Sequence, residues 1–144
     1  MSIYADTGFI VSLFLNESTT AAARSVAATF SKPLPLIPLV LLEYRNTLNL
    51  GIVRRRIDEA AREQLWRQFA AQIKAGVFVE TPIPSAELHA KARELSDRYT
   101  PTLATRSLDL LHVAAAALLG AKVFYSFDER QRKAAAGEGL KVKP

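Results

Sequence analysis

The sequence predicts an α/β domain in three layers, with a central parallel sheet of four to five strands and helices on both faces. Two observations predict it. Short apolar, β-prone runs alternate with stretches of helical periodicity along the whole chain, the signature of parallel strands joined by helical crossovers. The length of 144 residues sits near the commonest size of one domain, and no repeat, low-complexity stretch or linker divides it, so residues 1–144 read as one domain.

Each element has a local reason. Ile3-Tyr4-Ala5 is an apolar β-prone run, and Phe9 to Phe14 beyond Asp6-Thr7-Gly8 reads as a short helix. Asn16 or Ser18 can cap an alanine-rich helix from Thr19 to Phe30, broken by Ser31-Lys32-Pro33. Leu34 to Ile37 is a second strand. Pro38 suits the first turn of a helix from Leu39 to Leu50, with Gly51 expected to stop it. Asp58 can cap a long helix to Ala75, whose apolar stripe is Ile57, Ala61, Leu65, Phe69 and Ile73, widened by Trp66. Gly76 ends that helix, and Val77 to Thr81 is the third strand. Ser85 can cap a helix carrying Leu88, Ala92, Leu95 and Tyr99 on one face, and Tyr99 to Thr105, with Pro101, reads as a loop. Thr105 or Ser107 caps the helix that ends at Gly120. Lys122 to Phe127 is the fourth strand, Asp128 opens a short last helix, and Leu140-Lys141-Val142 is a fifth strand at the edge.

Composition narrows the function. A domain of this length buries about 70% of its unfolded surface and needs no covalent or metal staple. The absence of cysteine removes disulfides, thiol nucleophiles and iron–sulfur clusters. The first residues lack the basic start and apolar run of a signal peptide, and Leu108 to Leu119 is too short, and too interrupted by Asp109 and His112, to span a bilayer. A soluble, cytoplasmic protein with no membrane partner is expected. The net charge of +5 suits a phosphate-backbone partner. A solvated surface with a mild excess of lysine and arginine gives the same charge, so the number gains meaning only beside phosphate chemistry.

Four acids suggest that chemistry. Asp6 follows strand one and Asp128 follows strand four, and ligands of parallel sheets bind beyond the carboxyl ends of the strands. Glu43 lies in the second turn of the helix after strand two, and Asp109 in the first turn of the helix before strand four. Both are embedded in apolar runs, Leu39 to Tyr44 and Leu108 to Leu111. A buried carboxylate needs a partner or a cation. Two carboxylates about 5 Å apart repel by roughly 3 kcal/mol at an effective dielectric near 20. A hard cation such as Mg²⁺ or Mn²⁺ would reverse that balance, and helix N-termini would favour the negative charge. Taken singly, each acid also reads as a helix cap or a surface residue.

In order along the chain stand Tyr4-Ala5-Asp6-Thr7, then Ile37-Pro38-Leu39-Val40-Leu41-Leu42-Glu43-Tyr44-Arg45-Asn46, then Arg106-Ser107-Leu108-Asp109-Leu110-Leu111-His112-Val113-Ala114-Ala115-Ala116, then Val123-Phe124-Tyr125-Ser126-Phe127-Asp128-Glu129-Arg130-Gln131. On these four motifs, at this spacing, the chain resembles the PIN-domain family, in particular the VapC-type toxins of bacterial and archaeal toxin–antitoxin pairs, over essentially its whole length. The resemblance implies a PIN-like sandwich and a metal-dependent endoribonuclease using Mg²⁺ or Mn²⁺ on structured RNA such as tRNA or rRNA. It maps the acidic set onto Asp6, Glu43, Asp109 and Asp128, and implies a homodimer held inactive by a small cognate antitoxin. Gly8 stands where a polar or larger residue is commoner, and Ser126 replaces a commoner threonine while keeping its hydroxyl.

On this reading the four acids are catalytic and hold metal, and the Thr7 and Ser126 hydroxyls steady the carboxylates. Arg106, Arg130, Arg132 and Lys133 are candidate contacts to RNA phosphates, or simply solvated cations. The alternative is a non-cleaving RNA-binding or partner-regulatory module on the same fold. Two other readings fail. Asp6-Thr7-Gly8 matches the aspartic-protease triplet, but only one copy exists and a helical stretch follows it. A haloacid-dehalogenase-type phosphatase needs a second aspartate where Gly8 stands. His112 reads as a packed or hydrogen-bonded core residue and His89 as outward-facing. No zinc-ligand spacing or glycine-rich phosphate loop is present.

Overall fold

A computed structural model describes residues 2–144. In chain order the elements are β1 (Ile3–Ala5), α1 (Thr7–Phe14), α2 (Thr20–Ala27), β2 (Leu34–Leu36), α3 (Pro38–Val53), α4 (Glu59–Lys74), β3 (Phe78–Glu80), α5 (Ser85–Leu103), α6 (Ser107–Leu118), β4 (Val123–Tyr125), α7 (Glu129–Gly137) and β5 (Lys141–Lys143). They form two compact units, one comprising the chain up to Phe9 together with Ile83–Pro144, the other Ile10–Pro82. All strand pairs are parallel, as the alternation of strands and helices predicts. Among the described residues the five strands pair as a three-stranded and a two-stranded ladder.

In the unit containing both termini, β4 is central, with Ile3 opposite Val123 on one side and Lys141 opposite Val123 on the other. All three β4 residues are buried, which is why this stretch reads as an unbroken apolar run rather than an alternating one. In β5 both lysines are exposed, as suits an edge strand. Tyr4 stacks on Phe124 at 5.8 Å between ring centroids, and Phe9 packs at 5.4 Å from Tyr125 and 5.8 Å from Phe127. The run from His112 to Ala116 is buried throughout. Behind α7, Glu138 receives the Tyr99 hydroxyl at 2.6 Å and pairs with Arg98 and Lys91, tying the end of α7 to α5. The Tyr99 ring lies so close to Gly137 that any side chain there would collide with it.

Helix α5 runs through Pro101 to Leu103 rather than ending near Tyr99. Proline removes the bond to the carbonyl four residues back. That carbonyl belongs to Asp97, an exposed residue, so water can satisfy it. The helix stops at Ala104, which takes left-handed backbone at φ 53°.

In the other unit β2 pairs with β3, Leu34 opposite Phe78. The core is an aromatic cluster in which Phe14 meets Tyr44, Phe69 and Phe78, and Trp66 stacks on Tyr44 at 6.0 Å. Burial pushes the Tyr44 phenol well above its usual range. Asp58 caps α4 as expected, accepting the Ala61 N–H at 2.8 Å. Gly51 does not stop α3, which continues to Val53. Its carbonyl accepts the Arg56 and Ile57 N–H groups, and a Cβ on it would stand 3.1 Å from Ile57 Cγ1. The glycine thus permits the close return of the chain, while the positive φ of 56° falls on Arg55. No helix among the described residues is long and apolar enough to cross a membrane.

Candidate functional site

Beyond the carboxyl ends of β1 and β4 the backbone ladder continues for one residue. The Asp6 N–H donates to Tyr125 O at 3.1 Å, and the Ser126 N–H to Lys143 O at 2.9 Å. Neighbouring parallel strands therefore deliver Asp6, Ser126 and Asp128 to the same edge. The Ser126 hydroxyl donates to Asp6 Oδ2 at 2.5 Å and accepts the Asp128 N–H at 3.0 Å, linking the two acids. Asp6 Oδ1 accepts the Phe9 N–H at 2.8 Å, so the carboxylate sits at the start of α1. Gly8 leaves that aim unchanged, since a Cβ there would meet Asp6 Oδ1 at 3.7 Å, an ordinary contact.

Asp128 caps α7, its Oδ1 accepting the Gln131 N–H at 2.9 Å. Asp109 lies buried in the first turn of α6. Its Oδ1 accepts Gln131 Nε2 at 3.0 Å and its Oδ2 accepts Arg106 Nε at 3.0 Å. Arg106 Nη2 also stands 4.0 Å from Asp128 Oδ2. Three acids at three helix N-termini are thus linked, Asp6 to the Asp128 backbone through the Ser126 hydroxyl and the Asp109 and Asp128 carboxylates through Gln131 and Arg106, and the helix ends favour their charge.

The pKa of Asp6 is raised above its ordinary value. Burial pushes its pKa up, while the Ser126 hydroxyl, His112 and the Phe9 N–H pull it down, and the nearby Asp128 pushes it up again. His112 is buried as expected, with Nδ1 at 2.9 Å from the Tyr4 hydroxyl and Nε2 at 3.3 Å from Thr7 Oγ1. Exposed His89 contacts the Ser85 carbonyl at 2.8 Å.

Glu43 belongs to the other unit, half-buried on α3 one residue before Tyr44. Where the sequence predicts four acids converging on a cation, the structure places Arg106 against two of them. No three His, Cys, Asp or Glu side chains among the described residues stand, as they are, so as to hold a metal ion. The donor chemistry nonetheless fits a hard divalent cation. Asp6, Asp109 and Asp128 offer only oxygen, and the buried Gln131 Oε1 beside them has no hydrogen-bond partner.

Among the candidate RNA contacts, Arg130 and Lys133 are exposed, with Arg130 reaching the Ala104 carbonyl at 3.3 Å. Arg132 is half-buried and donates to the Ser126 carbonyl at 2.8 Å, buttressing the turn that carries Ser126. Gln131 is the member of this cluster that the sequence does not single out. A glutamine three residues after a capping aspartate is the capping-box pattern, a signal that could have found it, although here its side chain reaches Asp109.

The family model described as "PIN domain" matches residues 3–137. Among solved structures the chain is similar to Mycobacterium tuberculosis VapC20, a Sarcin-Ricin loop cleaving toxin, at 23% identity and a TM-score of 0.72, covering 99% of this chain and 100% of that one. It is also similar to FitAcB from Neisseria gonorrhoeae, at 14% identity and a TM-score of 0.68, covering 99% of this chain and 96% of that chain. At these identities the likeness speaks for the fold. No curated protein matches.

Proposed function

Because this chain belongs to the PIN domain family, we propose that it is a Mg²⁺- or Mn²⁺-dependent endoribonuclease, the toxin of a VapC-type toxin–antitoxin pair, cutting structured RNA such as tRNA or rRNA. One observation carries the reading: three acids gather at the carboxyl edge of one parallel sheet, where the Ser126 hydroxyl bonds both the Asp6 carboxylate and the Asp128 N–H. Burial already raises the cost of charge on Asp6, and a divalent cation is the partner that lowers it.

Asp6, Asp109 and Asp128 would hold the ion, with Glu43 from α3 as a further ligand or as the group that orients water. When bound, the ion acidifies water and neutralises charge on the attacked phosphate. Ser126 keeps Asp6 aimed and Gln131 fixes the Oδ1 atoms of Asp109 and Asp128. Arg106, Arg130, Arg132 and Lys133 would meet RNA phosphates. The similarity to VapC20, itself a Sarcin-Ricin loop cleaving toxin, supports this reading. A single cytoplasmic domain, paired as a homodimer and restrained by a small antitoxin, completes the proposal.

The closed Asp109–Arg106–Asp128 arrangement favours a second reading, a non-cleaving RNA-binding or partner-regulatory module. Cleavage assays separate the two. The purified protein should cut structured RNA in Mg²⁺ or Mn²⁺ and stop when a chelator is added. Each single amide substitution at Asp6, Glu43, Asp109 or Asp128 should abolish cutting with the fold retained. RNA binding without products across a broad RNA panel would establish the second reading instead.

A further inference from the structure

Resting on the cation reading and deepening it, we propose that Arg106 is the site's exchangeable counter-ion: it neutralises Asp109 and Asp128 until a divalent cation arrives, and must leave for that cation to bind. The geometry divides the carboxylate oxygens into two sets. Gln131 holds both Oδ1 atoms, taking Asp109 through Nε2 and Asp128 through its backbone N–H. Arg106 faces both Oδ2 atoms, at 3.0 Å and 4.0 Å. When the guanidinium leaves, the Gln131 bonds keep both acids in place, and two negative oxygens are left aimed at the space it occupied.

The two sides differ in freedom. The Arg106 side chain is 70% exposed, whereas that of Asp109 is 9% exposed. The arginine head lies where water reaches it; the acid does not. Arg106 precedes α6 with extended backbone and makes no side-chain cap bond to that helix, so its departure does not uncap α6. The guanidinium also spreads one charge over a plane, while Mg²⁺ or Mn²⁺ concentrates two on a point that prefers oxygen ligands. Exchange therefore favours the ion, but breaking the arginine's pairing subtracts from the affinity measured. An ion pair whose cation is this exposed corresponds to about threefold to fivefold in a binding constant.

A competitor and a supporting residue make opposite predictions. If Arg106 merely props up the site, removing it weakens cation binding; if it competes, removing it strengthens binding. Free Mn²⁺ counted by electron paramagnetic resonance, in titrations of wild type, Arg106→Gln and Arg106→Lys, reads this without any cleavage step. The expected result is about threefold to fivefold tighter binding by Arg106→Gln, with Arg106→Lys in between because it keeps the charge but loses the fork. In wild type, the Arg106 Nε–H resonance, identified by its loss in Arg106→Gln, should move on adding Mg²⁺ as its bond to Asp109 breaks. Equal or weaker Mn²⁺ binding by Arg106→Gln, or an Nε–H resonance unmoved at saturating Mg²⁺, would overturn the exchange while leaving the cation reading intact. No Mn²⁺ binding by wild type or either variant would overturn both.

Discussion

Asp6→Asn is expected to raise the melting temperature of the cation-free protein at neutral pH, while lowering RNA cleavage by about a thousandfold or more. Both effects come from one group. Asp6 is buried and its pKa lies above the ordinary value of 3.8. A carboxyl with a raised native pKa binds its proton more tightly folded than unfolded. Its contribution to stability is therefore fully present below the unfolded pKa and is lost as pH rises through the folded pKa. Ionised Asp6 is a cost to the fold at neutral pH, and asparagine removes it. The asparagine oxygen can accept from the Phe9 N–H or from the Ser126 hydroxyl but not from both, and that lost bond offsets only part of the gain. The melting-temperature gap between variant and wild type, measured in chelator from acidic to neutral pH, should open upward from about pH 4. A variant less stable than wild type at neutral pH would contradict the account.

Cation binding should stabilise in the same sense. An ion at a hundred times its dissociation constant adds about 2.7 kcal/mol to the native state, or roughly 8–10 °C in a domain of this size. Millimolar Mn²⁺ should therefore raise the melting temperature of wild type, most clearly at a pH where Asp6 is ionised. Asp109→Asn removes one of the charges and should reduce the rise to less than half. Gln131 Nε2 donates to Asp109 Oδ1, which the amide oxygen can still accept, so the variant should keep its fold. Calorimetric scans across an Mn²⁺ series make the measurement. Equal shifts in wild type and Asp109→Asn would place the ion elsewhere, and no shift in either would remove the cation from the account.

The parts of this molecule governed by local chemistry were legible in its sequence. Asp58 and Asp128 each cap the helix they precede, through a bond to the N–H three residues on. The apolar run at β4 is a buried central strand, and the lysine-flanked Val142 lies on an edge strand. What required tertiary structure was missed. Gly51 reads as a helix stop, but its role is set by Ile57 returning against it. Pro101 reads as a loop, but its one lost hydrogen bond falls on the carbonyl of Asp97, an exposed residue, and the helix continues. The division of five strands into ladders of three and two depends on long-range pairing that no local pattern encodes.

The site divides in the same way. Asp6 and Asp128 follow from strand ends, and the Ser126 hydroxyl lies against Asp6 as expected. The pairing of Arg106 with Asp109 and Asp128 was not foreseen, because an arginine three residues before an acid says nothing about which way its side chain turns. Gln131 was hidden because its amide answers to Asp109, 22 residues away.

The most direct test of the central claim is to incubate the purified protein with structured RNAs in Mg²⁺ or in chelator and sequence the newly formed ends, with Asp128→Asn alongside. The account predicts new ends at discrete positions with wild type in Mg²⁺ and none in chelator or with the variant. Cutting that persists in chelator or in Asp128→Asn, or intact RNA throughout, would contradict it.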